Sequence, residues 1–181
     1  MRFAFVTLLL AAAALAQGPK KFARTTSNAQ SPAKETAVTV AGKTINISYS
    51  APSVRGRTIF GDSGILKHDG TYPVWRAGAD EATQFHTDAD LDMGGHAVPK
   101  GDYTLWVDLD AGKWQLIVNK KQGWGTEYDK SQDVARVPMT MSKPPAMVEQ
   151  FRISLTSAGG NRGKLEMAWE NMAAAVNFTV R

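Results

Sequence analysis

The chain has 181 residues and no cysteine, so disulfides, thiolate metal sites and a lipid-bearing cysteine are excluded within it. Its formal net charge of +4 is weakly basic, and the absence of a basic stripe on a recognisable module argues against a nucleic-acid partner. At this length one domain is expected, with a core large enough to hold without covalent staples.

The first residues, MRFAFVTLLLAAAALAQ, place Arg2 before an apolar run from Phe3 to Leu15, with Ala14 and Ala16 flanking Leu15. This is the layout of a secretory signal peptide over residues 1–16, with cleavage between Ala16 and Gln17, and it predicts a secreted or periplasmic protein. A membrane anchor needs ~20 apolar residues, and no later segment is apolar enough to span a bilayer. Residues 17–34 are rich in Lys, Thr, Ser, Asn and Pro and read as a flexible leader.

From residue 35 to residue 181 the apolar residues recur with period two, which predicts strands with one face on a core. Val38 and Val40 form the first row; Gly42 then turns the chain into Ile45, Ile47 and Tyr49. Further rows are Tyr103, Leu105, Val107 and Leu109; then, past Asp110-Ala111-Gly112, Trp114, Leu116 and Val118. Phe151, Ile153 and Leu155 are followed by the Gly-rich SAGGNRG, then Leu165, Met167 and Trp169, then Val176, Phe178 and Val180. Weaker candidates at 82–87, 89–93 and 133–141 bring the total to roughly nine strands. The fold class is all-β, an antiparallel β-sandwich with a jelly roll or flattened barrel as alternatives, and little or no helix beyond the signal peptide.

Two long irregular connections, 50–79 and 120–132, interrupt this pattern and are the places to look for function. The first begins SAPSVRGR and runs into PVWRAGADEAT. Arg55 and Arg57 point the same way if the backbone is extended, which suits a carboxylate or phosphate; the competing expectation is solvated side chains. In PVWRAGADEAT, Gly78 permits a sharp reversal that brings Trp75 and Arg76 toward Asp80 and Glu81. Adjacent residues on an extended chain face opposite ways, so Asp80 and Glu81 are a poor catalytic pair. What remains is an ionic latch of Arg76 on an acid, or a cradle in which Arg76 and Glu81 orient a ligand against Trp75. In the second loop, KKQGWGTEYDK sets Trp124 between two glycines, with Tyr128 close behind, as apolar walls for a ligand or as a plug. Trp106 is out of phase with its row and should face a covering loop or solvent, whereas Trp114 and Trp169 read as core. His68, His86 and His96 lack ligand spacing, so no metal and no cofactor is expected. No nucleophile elbow or phosphate loop is present.

These motifs, in order SAPSVRGR, PVWRAGADEAT, GGHAVPKGDYTL, IVNK with GWGTEYD, VEQFRIS and LEMAWE, resemble the bacterial exported family called domain of unknown function 2911. The resemblance covers about Lys34 to Arg181 and implies an exported all-β domain; it brings no settled activity, substrate or catalytic residue. Trp75, Arg76, Gly78, Glu81 and Thr83 fall on the family's W-R-x-G-x-x-E-x-T core, and Trp124, Gly125 and Tyr128 on its second aromatic motif. The chain departs at Asp80, where the family usually carries Asn. The stretch GDSGILKHDGTY resembles an insertion, so no function is expected of His68 or Asp69.

The leading expectation is an exported domain that binds a small or carbohydrate-like ligand near the two loops. Trp75, Arg76, Glu81, Trp124 and Tyr128 would form the site, with Gly78 as its structural turn. The alternatives are a structural or protein-interaction domain with an envelope protein as partner, and a hydrolase using Glu81.

Overall fold

In a computed structural model of the protein, residues 30–110 and 113–181 are described. The expected signal peptide, the leader as far as residue 29, and two residues of the turn at 110–112 lie outside them. Thirteen strands are present among the described residues: β1 (Ala33–Val40), β2 (Lys43–Ser50), β3 (Val74–Trp75), β4 (Thr83–Thr87), β5 (Leu91–Met93), β6 (His96–Val98), β7 (Gly101–Asp108), β8 (Gln115–Asn119), β9 (Asp133–Pro138), β10 (Thr140–Ser142), β11 (Val148–Ser157), β12 (Arg162–Glu170) and β13 (Met172–Val180). Among the described residues the helical elements are two 3-10 turns, Ile65–His68 and Lys130–Gln132, and no helix is long and apolar enough to cross a membrane. The expectation of roughly nine strands was low because β3 and β6 are two or three residues long, too short to display a period, and the candidate at 133–141 divides into β9 and β10. β1 also begins at Ala33, inside the stretch read as leader.

The strands form two antiparallel sheets. The first runs β1-β2-β4-β7-β8-β9 with β3 also on β7; the second runs β11-β12-β13-β5-β6 with β10 also on β13. They face each other as a sandwich, β1 lying beside β11 and β6 beside β9, without closing into a barrel. The apolar rows read from the sequence meet between them. Ile45, Ile47, Phe85, Leu105, Val107, Leu116 and Val118 of the first sheet pack against Phe151, Ile153, Leu165, Met167, Val176 and Phe178 of the second, all buried. The expected hairpin turn at Gly42 is present, with Ala41 at φ 50° and Gly42 at φ 73°, the left-handed pair that a two-residue hairpin demands.

One feature of the pairing positions the site. Trp75 of β3 pairs with Val107 of β7, and Thr83 of β4 pairs with Leu105, only two residues further along the same strand. β3 and β4 are therefore two halves of one strand, from which residues 76–82 protrude. The excursion is pinched at its base, where Thr83 N donates to Arg76 O at 3.3 Å and Thr83 Oγ1 donates to Ala77 O at 2.7 Å. The outer face of the first sheet carries a second small cluster of Val74, Ala82, Trp106 and Ile117, with Tyr128 packed on it. Trp106 does face a covering loop, its ring 5.2 Å from that of Tyr128.

Candidate functional site

The path of the 50–79 connection follows from its hydrogen bonds. Val54 N donates to Glu149 O at 2.7 Å and Phe151 N to Pro52 O at 2.8 Å, so the chain first lines the edge of β11. It then turns at Arg55 (φ 51°) and Gly56 (φ 68°). A turn rather than an extended chain separates Arg55 from Arg57, yet both side chains reach the same place. Arg57 donates from Nε to Val54 O at 3.0 Å and from Nη2 to Ser53 O at 2.6 Å, while Arg55 Nη2 donates to Gln30 O at 3.0 Å.

After the first 3-10 turn comes Asp69, whose Oδ1 accepts from Thr71 N (3.0 Å) and Thr71 Oγ1 (2.8 Å) and whose Oδ2 accepts from Arg76 Nη2 at 2.8 Å. The ionic latch of Arg76 is thus on Asp69, in the stretch that resembles an insertion. Burial pushes the Asp69 carboxyl up, but the Thr71 bonds and the Arg76 charge outweigh it and hold the group below the usual carboxylate range. With the folded-state pKa depressed, Asp69 stabilises the fold above its unfolded value of ~3.9, and this is lost as pH falls through the folded value. Melting temperature is accordingly expected to fall on acidification through the carboxylate range, and Asp69→Asn to flatten part of that limb; an unchanged acid limb would contradict the latch.

The two long loops meet beside Arg76. Glu81 forms an antiparallel bridge with Trp124, Gly125 N donates to Asp80 O at 3.1 Å, and Ala82 N donates to Gly123 O at 3.4 Å. The GWG motif is explained by closeness: a Cβ at position 125 would stand 2.1 Å from Arg76 Cδ and 2.4 Å from Asp80 O. Gly78 has a similar reason, since a Cβ there would meet Ser50 O at 2.8 Å.

Arg55, Arg57, Asp69 and Arg76 surround a cavity of about 200 Å³, with Trp75 and Trp169 in its wall. The two indoles stack at 5.7 Å with their planes 19° apart, and Trp75 Nε1 donates to Gly78 O at 3.0 Å. Among the described residues the Trp169 indole N–H and Arg76 Nε are buried with no hydrogen-bond partner. A neighbouring space of about 450 Å³ is lined by residues that include Phe60, Tyr72, Leu109, Trp114 and Met172, and Trp114 is half-buried there, packed against Phe60 at the margin of the main core.

Of the residues expected to form the site, Trp75 and Arg76 reach this cavity, Trp75 chiefly as core at 4 % exposure. Glu81, 9 % exposed, and Trp124, 42 % exposed, are joined to each other by backbone and are not among its lining residues. Tyr128 is further off, its hydroxyl 2.7 Å from Asp133 Oδ2 and 2.6 Å from Arg136 Nη2. Burial, and then the Asp133 carboxylate, raise that phenol far above its ordinary range, as suits a structural hydrogen bond. Trp169 was read only as core and Asp69 was set aside; the signals in the sequence that pointed here were the pair Arg55 and Arg57 and the Trp75, Arg76 and Gly78 of PVWRAGADEAT.

A family model matches residues 31–178, a span that takes in both sheets and all but the first of the cavity-lining residues. The chain belongs to this family, described as protein of unknown function DUF2911. No curated protein and no solved structure matches the chain. Within this DUF2911 domain the W-R-x-G-x-x-E-x-T residues have visible structural tasks: Trp75 stacks in the core, Gly78 lets the chain pass Ser50, Glu81 bridges to the second loop, and Thr83 closes the excursion. Arg76 is the member of the set that also presents charge to a cavity.

Proposed function

We propose that this is an exported domain that binds a small molecule in the cavity bounded by Arg55, Arg57, Asp69, Arg76, Trp75 and Trp169, without chemistry on it. The observation that carries the reading is a preformed cavity whose wall combines two stacked indoles with fixed guanidinium groups. Apolar walls with a few directed polar groups are the usual composition of a ligand site. A volume of about 200 Å³ lies below the ~300–1,000 Å³ of drug-sized sites, which favours a compact ligand over an oligosaccharide. Export rests on the signal-peptide pattern of residues 1–16. A hydrolase built on Glu81 loses ground, because Glu81 does not line the cavity.

The exposure of Trp124 supports the second reading, a contact surface for an envelope protein. The two are separated by titrating a panel of small neutral and charged molecules while following melting temperature. Ala79 lines the cavity, so Ala79→Leu is expected to abolish the shifts of those that bind and Trp124→Ala to leave them in place. A panel in which nothing binds, or in which only Trp124→Ala matters, would sink the cavity reading.

A further inference from the structure

We infer that the ligand of this cavity is a small organic carboxylate, an anion on a compact apolar body; this rests on the cavity being a binding site at all. Four observations converge on it. First, the lining residues carry three guanidiniums against one carboxylate, an excess of two positive charges, with Glu149 nearby accepting the backbone N–H of Arg55 at 2.9 Å. Clefts that gather one sign of charge beside low-dielectric walls concentrate the opposite ion.

Second, the guanidiniums have donors to spare. Each carries five N–H groups; the side-chain bonds among the described residues use one of Arg76, two of Arg57 and one of Arg55. Arg57 is held to two backbone carbonyls, so its fork is oriented before a ligand arrives, which lowers the entropy cost of binding. Planar guanidinium forks match the two oxygens of a carboxylate.

Third, the indole N–H of Trp169, 2 % exposed, is buried without a partner among the described residues, and Trp169 lines the cavity. Buried donors are rarely left unmade because of the desolvation they cost, and a ligand oxygen would satisfy this one. Fourth, Leu66, Ile65, Pro52 and the two indoles give the remaining wall an apolar side, with Gln30 and Ser31 as its uncharged polar members. That wall distinguishes a carboxylate with an apolar body from bare phosphate, which has nothing to place there.

Asp69 already occupies one edge of Arg76 with a carboxylate. It stands where a ligand carboxylate would compete, so its removal is expected to help binding while weakening the fold. A purely structural Asp69 would give no such gain.

Calorimetric titration of the full mature chain with benzoate, its neutral isostere benzamide, and inorganic phosphate tests this. Benzoate is expected to bind at least about tenfold more tightly than benzamide, from charged hydrogen bonds that the amide lacks, and phosphate more weakly than benzoate. Arg76→Gln should lose binding on the order of tenfold or more. Because Arg76 is partly buried and its replacement also perturbs the fold, the exposed Arg55→Gln is the companion variant, expected to weaken benzoate while melting as the parent does. Asp69→Asn should tighten benzoate several-fold. Benzamide binding as well as benzoate, with both lost in Ala79→Leu, would overturn the anion inference and leave the proposed function standing. Phosphate binding more tightly than benzoate would overturn the organic carboxylate in favour of a bare oxyanion. No binding by any of these or by the wider panel would overturn both.

Discussion

Trp75→Ala is expected to lower the unfolding free energy by about 3–5 kcal/mol, the range for deleting a large aromatic from a packed interior. The side chain is 4 % exposed, stacked on Trp169 at 5.7 Å and edge-on to Phe151 at 4.9 Å. Its removal opens space in the middle of the largest aromatic cluster of the core and leaves Gly78 O without the indole N–H that it accepts. Urea denaturation, with the midpoint read at constant slope, measures the loss. Trp75→Phe keeps most of the apolar contact and should cost less than half as much. A surface residue held only for a ligand would respond differently, its alanine variant falling within about 0.5 kcal/mol of the parent.

Gly125→Ala is the second large effect, expected to cost about 1–3 kcal/mol through overpacking. The added methyl would meet Arg76 Cδ at 2.1 Å and the Asp80 carbonyl oxygen at 2.4 Å. A long side chain can move aside, but the carbonyl belongs to the excursion that pairs with this loop. The double variant Arg76→Ala/Gly125→Ala should therefore recover only part of the Gly125→Ala loss, a coupling that a thermodynamic cycle reads directly. Since the only way to relieve the side-chain clash is to displace Arg76, the single variant should also weaken any ligand that Arg76 holds. A Gly125→Ala protein that melts as the parent does would mean that the two loops are not packed as described.

The parts of the fold that were readable in advance share a cause. Side chains on a strand alternate because of the local pleat, so rows such as Ile45, Ile47, Tyr49 and Leu165, Met167, Trp169 announce both strand and core face without reference to any partner. Turns were readable on the same ground at Gly42 and in SAGGNRG, where Gly159 and Gly160 take φ 85° and 59°. Trp106 shows how far parity reaches: it placed the ring off the main core face, while its shelter under Tyr128 depends on how the 120–132 loop folds back.

The site was less legible, and in a specific way. Residue identity marked PVWRAGADEAT and GWGTEYD, and the family match over residues 31–178 agrees with the resemblance those motifs carry. Their partners were assigned by nearness along the chain, which made Glu81 the natural mate of Arg76. Instead the first 3-10 turn returns Asp69 to that guanidinium, and the adjacent acids on the other side are carried off by the excursion toward Trp124.

Sequence alone, then, determined the all-β class, the inward faces of the long strands, the hairpin turns and the two connections worth attention, since each is set by residues within a few positions of one another. Only the tertiary structure decided that β3 and β4 are one strand interrupted, that Asp69 holds Arg76, that Trp169 shares a wall with three arginines, and that Tyr128 is spent on Asp133 and Arg136. Those facts depend on where irregular chain crosses in space, and backbone without a repeating period carries no local signal of its path.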